Sequence, residues 1–151
     1  MVDADMSYDL TKLPEMAELL SSGADLVLGS RYLKGSDTSN FALHRKFISF
    51  VAKTISSINL KVDVSDPETG YGLMRKEIYT KIRPRMKLLG FKFMHEILAF
   101  NPNAKIKEVE TYFIDREIGK SKFSFKQIIL YLKLITLLFV EIHLKPTKEQ
   151  C

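Results

Sequence analysis

Two carboxylates stand close together at the start of the chain, in Asp3-Ala4-Asp5. In an extended segment, side chains two residues apart point to the same face, so Asp3 and Asp5 can share one ligand. Paired carboxylate oxygens suit Mg²⁺ or Mn²⁺, which keep several waters and commonly bridge to a diphosphate. The spacing therefore indicates a metal–diphosphate site. The alternative is an exposed acidic terminus that binds nothing.

A second group of residues fits phosphate binding. Arg45 and Ser49 lie four residues apart in a segment whose apolar positions have helical spacing, so they share one helix face. The guanidinium group suits bidentate phosphate contacts. A phosphate monoester has a second pKa near ~6 and is largely ionised at neutral pH, so as a nucleophile it needs positioning more than a general base. The competing interpretation is that Arg31, Arg45 and Arg116 are ordinary surface bases.

The elements that must position these residues alternate between helices and strands. Hydrophobic periodicity and turn residues predict helices at 11–22, 42–58, 76–82, 93–100 and 124–144, and strands at 25–28, 71–74 and 105–114. Thr11 is the predicted N-cap of the first helix, Gly23 its stop, and Gly29 the end of the first strand. Polar loops are predicted at 31–40, 61–70 and 115–122. The alternation predicts an α/β fold, with residues 1–122 as the main domain and 123–151 as a helix and tail.

Composition narrows the class of protein. The 151 residues are 46% hydrophobic and 27% charged, which fits a soluble globular domain and excludes a disordered tail or a polytopic membrane protein. The formal net charge of +5 is uneven, because residues 1–25 carry −5 and the remainder +10. An acidic head and a basic body indicate a metal site beside an anion-binding surface, or else two solvated faces of opposite sign. The single cysteine, Cys151, cannot form an intrachain disulfide, which favours a reducing compartment.

Six segments, in this order, resemble those of family 2 glycosyltransferases, in the branch of the dolichyl-phosphate (polyprenyl-phosphate) mannosyltransferases. The segments are Val2–Ser7, Gly29–Tyr32, Arg45–Ser49, Asp66–Tyr71 with Met74-Arg75, Gly90–Phe93 with Glu96, and Asp115–Lys122. The resemblance extends from Asp3 to about Leu138. It implies an α/β fold that is the C-terminal portion of a glycosyltransferase A-type, Rossmann-like domain, ending in an amphipathic helix.

The resemblance also implies a reaction and its residues. A hexose, mannose or glucose, would pass from GDP-mannose or UDP-glucose to a polyprenyl phosphate with inversion, assisted by Mg²⁺ or Mn²⁺. The implied catalytic residues are Asp3, Asp5 and Asp66, with Asp3, Asp5 and Ser7 at the metal. The implied phosphate-binding residues are Arg31, Arg45, Ser49, Arg116, Ser121 and Lys122, and Thr69 and Gly70 belong to the loop that lines the sugar and acceptor site.

The chain departs from the resembled family in one respect. The nucleotide-binding half that precedes the D-x-D motif in that family is missing here, so the chain is expected to be a fragment, to form a homo-oligomer or to need a partner chain. The alternative function is a catalytically incomplete module that binds membranes or lipid phosphate. A nucleic-acid binder is disfavoured, because the bases are not interleaved with a stacking aromatic platform.

The last predicted helix is unusually apolar. Residues 128–140 are apolar except for Lys133 and Thr136. A membrane-spanning helix requires about 20 predominantly apolar residues, and Lys133 would lie in the middle of such a span. The pattern therefore favours a helix in the membrane interface, with a packed core helix as the second choice. With the resemblance, it predicts peripheral attachment to the cytoplasmic face of a membrane.

Overall fold

A computed structural model describes residue 2 and residues 8–33, 51, 54–90, 92–112 and 125–144. The helices are α1 (Leu13–Ser21), α2 (residues 54–59), α3 (Lys76–Ile82), α4 (Phe93–Phe100) and α5 (Phe125–Phe139). The strands are β1 (Leu26–Ser30), β2 (Gly72–Met74) and β3 (Ile106–Glu110). Short 3₁₀ turns occupy Leu10–Lys12 and Arg83–Arg85, and a π-helical turn, Val140–Leu144, extends α5. The predicted α/β class is confirmed, and α3 and α4 begin and end where the sequence pattern predicted.

The three strands form one mixed sheet in the order β2-β1-β3. β1 runs parallel to β3, with Leu26 opposite Ile106, and antiparallel to β2, with Leu26 opposite Met74. All five residues of β1 are buried, as expected for a central strand. The residues that follow Ser30 therefore lie at the edge of the sheet where its central strand ends.

The core lies on both faces of this sheet, because successive strand residues point to opposite sides. Leu26 and Leu28 pack in one cluster with residues of α4 and α5. Val27, between them, packs in a second cluster with Met16 of α1 and with Tyr8, Tyr71 and Val109. Helices thus cover both faces of the sheet.

Several predictions about the ends of elements are wrong. The strand predicted at 105–114 is β3, which ends at Glu110. The carboxylate of Asp9, not Thr11, caps the first turn: its Oδ1 accepts from the Thr11 backbone N–H at 2.9 Å and from the Thr11 hydroxyl at 2.7 Å. An aspartate just before the helix is the better-placed acceptor. Gly29 does not end β1 but lies inside it. A Cβ there would lie 2.4 Å from Cδ1 of Tyr71, so glycine lets that ring pack against the strand. Gly23, at φ 106°, does end α1 as predicted.

The last helix has two unlike faces. Leu134 and Leu138 are fully buried against the sheet, whereas Ile129 and Leu132 are about half exposed. Lys126–Leu144 is long and apolar enough to cross a membrane by length and composition, the one such helix in the described part of the chain. The buried face agrees with a packed core helix, which was the second choice from the sequence. The exposed face is the one that a helix in the membrane interface, the first choice, would turn to the lipid.

Candidate functional site

The best-defined polar site lies where β1 ends. Arg31 follows β1 directly, and its guanidinium group meets the buried carboxylate of Asp66 in the loop before β2. Nε donates to Oδ2 at 2.7 Å and Nη2 donates to Oδ1 at 2.8 Å, while the Arg31 backbone N–H donates to Oδ2 at 3.2 Å. Such a bidentate pair fixes both partners in one geometry. Two sequence motifs 35 residues apart are therefore one site.

A second carboxylate holds the loop that carries Asp66. Glu108 of β3 accepts from the Ser65 backbone N–H at 2.9 and 3.0 Å and from the Ser65 hydroxyl at 2.8 Å. It also accepts from the Asp66 backbone N–H at 3.3 Å. Ser30 and Ser65 share a short hydrogen bond between their hydroxyls. The loop is thus fixed to the two parallel strands at their carboxyl ends.

Thr69 and Gly70 complete the junction with backbone contacts. The Thr69 hydroxyl donates to the Gly29 carbonyl at 2.7 Å and accepts from the Tyr71 backbone N–H at 3.1 Å. The Gly70 backbone N–H donates to the hydroxyl of Tyr8 at 2.9 Å. Tyr8 packs its ring against Tyr71 with centroids 5.3 Å apart. The Thr69 hydroxyl thus ties the loop to β1 and to the residue before β2, which makes it a support of the loop.

Burial and ion pairing act in opposite directions on the charge of Arg31. Burial opposes the charge of Arg31, but the hydrogen bonds and charge of Asp66 outweigh it and raise the pKa of the guanidinium above its ordinary value. Burial raises the pKa of Tyr8, so that its phenol stays protonated beside Arg31. At neutral pH the junction therefore presents a fixed guanidinium, a fixed carboxylate and a neutral hydroxyl.

Two residues further along the same loop, Glu68 is the centre of a second group, which we call the Glu68 cluster: Glu68, Ser56, Lys92, His95 and Tyr131. Its carboxylate pairs with Lys92, accepts from Ser56, and lies 3.2 Å from Nδ1 of His95 and 3.3 Å from the Tyr131 hydroxyl. Burial would raise the pKa of Glu68, but the His95 hydrogen bond and the charge of Lys92 hold it at about 2. The cluster joins the loop to α2, to α5, and to α4 with the residue that precedes it.

Only some of the predicted site residues can be placed. Arg31, Asp66, Thr69 and Gly70 meet at the junction. The others lie outside the described residues: Asp3, Asp5, Ser7, Arg45, Ser49, Arg116, Ser121 and Lys122. Within the described ranges no group of three or more His, Cys, Asp or Glu side chains could hold a metal ion. The metal site thus stays a prediction from the D-x-D spacing.

The residues that support the Arg31–Asp66 junction and the Glu68 cluster were not predicted from the sequence. They include Tyr8, Glu108, Glu68, Lys92 and His95. The available signal for Glu68 was its position inside the Asp66–Tyr71 motif. Glu108 gave no signal, because an acid in a strand with partial alternation reads as solvent-facing. Partners that come from distant segments are not visible in any local pattern.

The comparisons with known proteins agree with the resemblance. The model of Glycosyl transferase family 2 matches residues 1–83. The chain is 35% identical over 135 residues to a dolichol-phosphate mannosyltransferase of Pyrococcus furiosus, an alignment that covers 88% of this chain and 38% of that protein. It is 33% identical over 126 residues to a polyprenol monophosphomannose synthase of Mycolicibacterium smegmatis, which covers 82% of this chain and 48% of that protein.

The mixed sheet, the charged junction at the end of its central strand and these matches define the class. The chain belongs to glycosyltransferase family 2. It spans less than half the length of the two curated relatives named above.

Proposed function

We propose that this chain transfers a mannosyl group from a nucleotide-diphosphate sugar to a polyprenyl phosphate. The observation that carries the proposal is the alignment with two proteins named as polyprenol-type mannosyltransferases, because it covers 82–88% of this chain. Those names favour mannose over glucose, and so GDP-mannose over UDP-glucose as the donor.

The junction at the end of β1 supplies fixed charge for such a reaction. Asp66 uses Nε and Nη2 of Arg31, and so holds the guanidinium group without consuming all of its donors. A guanidinium set this way is suited to an ionised phosphate, whose attack at the anomeric carbon needs positioning. We assign Arg31 to phosphate binding and Asp66 to its orientation. Arg45, Ser49, Arg116, Ser121 and Lys122 are proposed as further phosphate contacts on the strength of the motifs alone.

The donor side rests on Asp3 and Asp5, with Ser7 as a weaker third contact. A divalent cation held there, Mg²⁺ or Mn²⁺, would neutralise the charge that develops on the nucleoside diphosphate as it leaves. Direct attack by the acceptor phosphate inverts the anomeric carbon.

We further propose peripheral attachment at the cytoplasmic face of a membrane through α5. The buried Leu134 and Leu138 seat one face of this helix in the fold, and the opposite face exposes Ile129 and Leu132. A helix that packs on one side and is apolar on the other fits the boundary between protein and lipid. We also propose a homo-oligomer or an additional partner chain.

A second candidate function is a membrane or lipid-phosphate-binding module without transferase activity. The charged, supported Arg31 would bind an anion equally well with no metal on Asp3 and Asp5. The two functions differ in their dependence on these aspartates.

The test is calorimetric titration of GDP-mannose and UDP-glucose with and without Mn²⁺, followed by transfer of radiolabelled mannose to polyprenyl phosphate in vesicles. The variant is Asp3→Ala with Asp5→Ala. The matched control is Glu18→Ala, which removes an exposed carboxylate of the same acidic head. We expect metal-dependent GDP-mannose binding and transfer to be lost in the variant and kept in the control. Binding to polyprenyl phosphate that persists without any metal-dependent donor binding in the wild-type chain would support the module instead.

A further inference from the structure

Apolar exposure is concentrated in one part of the molecule. Among the described residues, five large hydrophobic side chains are more than 45% exposed: Ile58 (68%), Leu144 (65%), Leu88 (64%), Ile129 (51%) and Leu132 (48%). Three of them belong to α5 and its π-helical extension, and the other two belong to the segments that lie on either side of it. Scattered exposed leucines need no explanation, but a grouped set indicates a surface that something covers.

On one side α5 is bound to α2. The Asn59 side chain donates to the Ile135 carbonyl at 2.9 Å, and the Ser56 and Tyr131 hydroxyls are hydrogen-bonded at 2.9 Å. Ile58 therefore stands beside the helix, and an open apolar groove of about 230 Å³ runs between the two.

On the other side α5 is bound to the segment 85–90. Arg85 and Lys87 pair with Glu141 at 3.3 and 3.0 Å. At the other end of the segment, a Cβ on Gly90 would lie 3.1 Å from Oε1 of Gln127. The segment thus runs alongside α5, and Leu88 lies beside its exposed face.

The turn that carries Leu88 is held rigidly. The buried carboxylate of Glu96 accepts from the backbone N–H groups of both Lys87 and Leu88, the latter at 2.9 Å. Leu88 has φ 51°, a left-handed conformation that a leucine rarely adopts. A buried acid thus holds Leu88 in a strained backbone conformation with its side chain exposed. The packing of the chain itself does not account for this arrangement.

Bases outnumber acids among the exposed charges around this surface. Lys81 and Arg83 precede the turn, Lys87 lies within it, and Lys126 and Lys133 stand on α5, all of them exposed. Of the acids on these segments, Glu141 is already paired with Arg85 and Lys87, and Glu77 lies one helical turn before Lys81. Apolar side chains ringed by bases match a layer of anionic headgroups above acyl chains.

We propose that the turn at residues 86–90 is a second membrane contact, in which Leu88 inserts beside α5 while the surrounding bases meet anionic lipid headgroups. The inference rests on the proposed attachment of α5 to a membrane and adds to it a rigid wedge. A single helix on a membrane can roll about its axis, whereas a helix and a flanking wedge fix the orientation of the protein. The junction at Arg31 would then have one fixed orientation relative to the membrane surface.

The test uses tryptophan as a reporter, because the chain has none of its own. Leu88→Trp and Leu132→Trp place the reporter on the turn and on α5. Leu10→Trp is the matched control, at a residue of similar exposure (43%) in the turn before α1. Each variant is mixed with vesicles of phosphatidylcholine alone or with phosphatidylglycerol, carrying brominated acyl chains that quench tryptophan at the depth of the hydrocarbon.

We expect quenching of the Leu88 and Leu132 reporters in phosphatidylglycerol vesicles and none of the Leu10 reporter. Leu88→Asp should weaken binding to these vesicles about tenfold, with Leu10→Asp unchanged, since an inserted leucine contributes its transfer free energy. A silent Leu88 reporter beside a quenched Leu132 reporter would overturn this inference and leave the attachment of α5 intact. Silence of both, or a dimer in sedimentation that hides both from the lipid, would overturn the two proposals together. No polyprenyl phosphate is present, so the result does not depend on transferase activity.

Discussion

At the scale of residues, the chain buries several carboxylates and gives each a specific partner. Asp66 is fully buried and pairs with Arg31, and Glu96 is fully buried and caps the turn at Lys87 and Leu88. A carboxylate removed from water without such partners would cost several kcal/mol, on the order of the stability of a whole domain. Removal of the partner of either acid is therefore expected to lower the free energy of unfolding.

The first prediction concerns the Arg31–Asp66 pair. Arg31→Ala leaves the Asp66 carboxylate buried without its cation and should lower the free energy of unfolding by about 3–5 kcal/mol. Asp66→Asn in the same chain should restore part of the loss, because the remaining amide is neutral. Urea unfolding followed by circular dichroism measures both. The control is Lys12→Ala, which removes the ion-pair partner of the exposed Glu15 and should change little. An equal loss in the control would contradict the assignment of Asp66 as a buried partner of Arg31.

The second prediction concerns the Glu68 cluster and pH. The pKa of Glu68 is about 2 in the folded protein against an ordinary value of 4.5. Because the folded pKa is depressed, the stabilisation is present above pH 4.5 and is lost as the pH falls through the folded pKa. The stability difference between wild type and Glu68→Gln should therefore be largest near neutral pH and should shrink between about pH 4.5 and 2. Tyr131→Phe, which keeps the carboxylate, should retain the wild-type pH dependence. A pH-independent difference would refute the role of the charge.

At the scale of elements, the two faces of α5 lie in different environments. Leu134 and Leu138 are fully buried, whereas Leu132 and Ile129 face outward. Apolar residues all round a helix normally indicate that every face is covered. Here the fold covers one face, and the proposed membrane contact accounts for the other.

The third prediction separates these two faces within the same helix. Leu134→Ala removes a buried side chain and should lower the free energy of unfolding by about 2–5 kcal/mol. Leu132→Ala changes an exposed residue two positions earlier and should stay within about 0.5 kcal/mol of wild type. Thermal and urea unfolding in buffer without lipid measure both. Equal and small effects would mean that α5 is not part of the folded core.

Most elements could be predicted from the sequence, but only some of their ends could. The bounds of α3 and α4 follow from local signals, namely Pro84 after α3 and a dense apolar run in α4. The end of β1 was wrong because Gly29 reads as a punctuation residue in isolation. Only the ring of Tyr71, which comes from the residue before β2, shows why glycine is required inside β1.

At the scale of the whole molecule, the central sheet connects the separate parts. It carries one hydrophobic cluster on each face, and the parallel ends of β1 and β3 hold the loop with Asp66. The same loop reaches α2, α4 and α5 through Glu68. The charged junction and the proposed membrane surface are therefore linked by one short, buried loop.

The sequence by itself determined the α/β class, the family and the order of most helices and strands. These properties follow from periodicity, turn residues and motifs, which are local along the chain. The tertiary structure alone decided the antiparallel pairing of β2, the joining of Arg31 to Asp66 and the convergence of three helices on Glu68. Such contacts unite residues tens of positions apart. Their energies depend on burial and on distance in space, and neither quantity is contained in a local stretch of sequence.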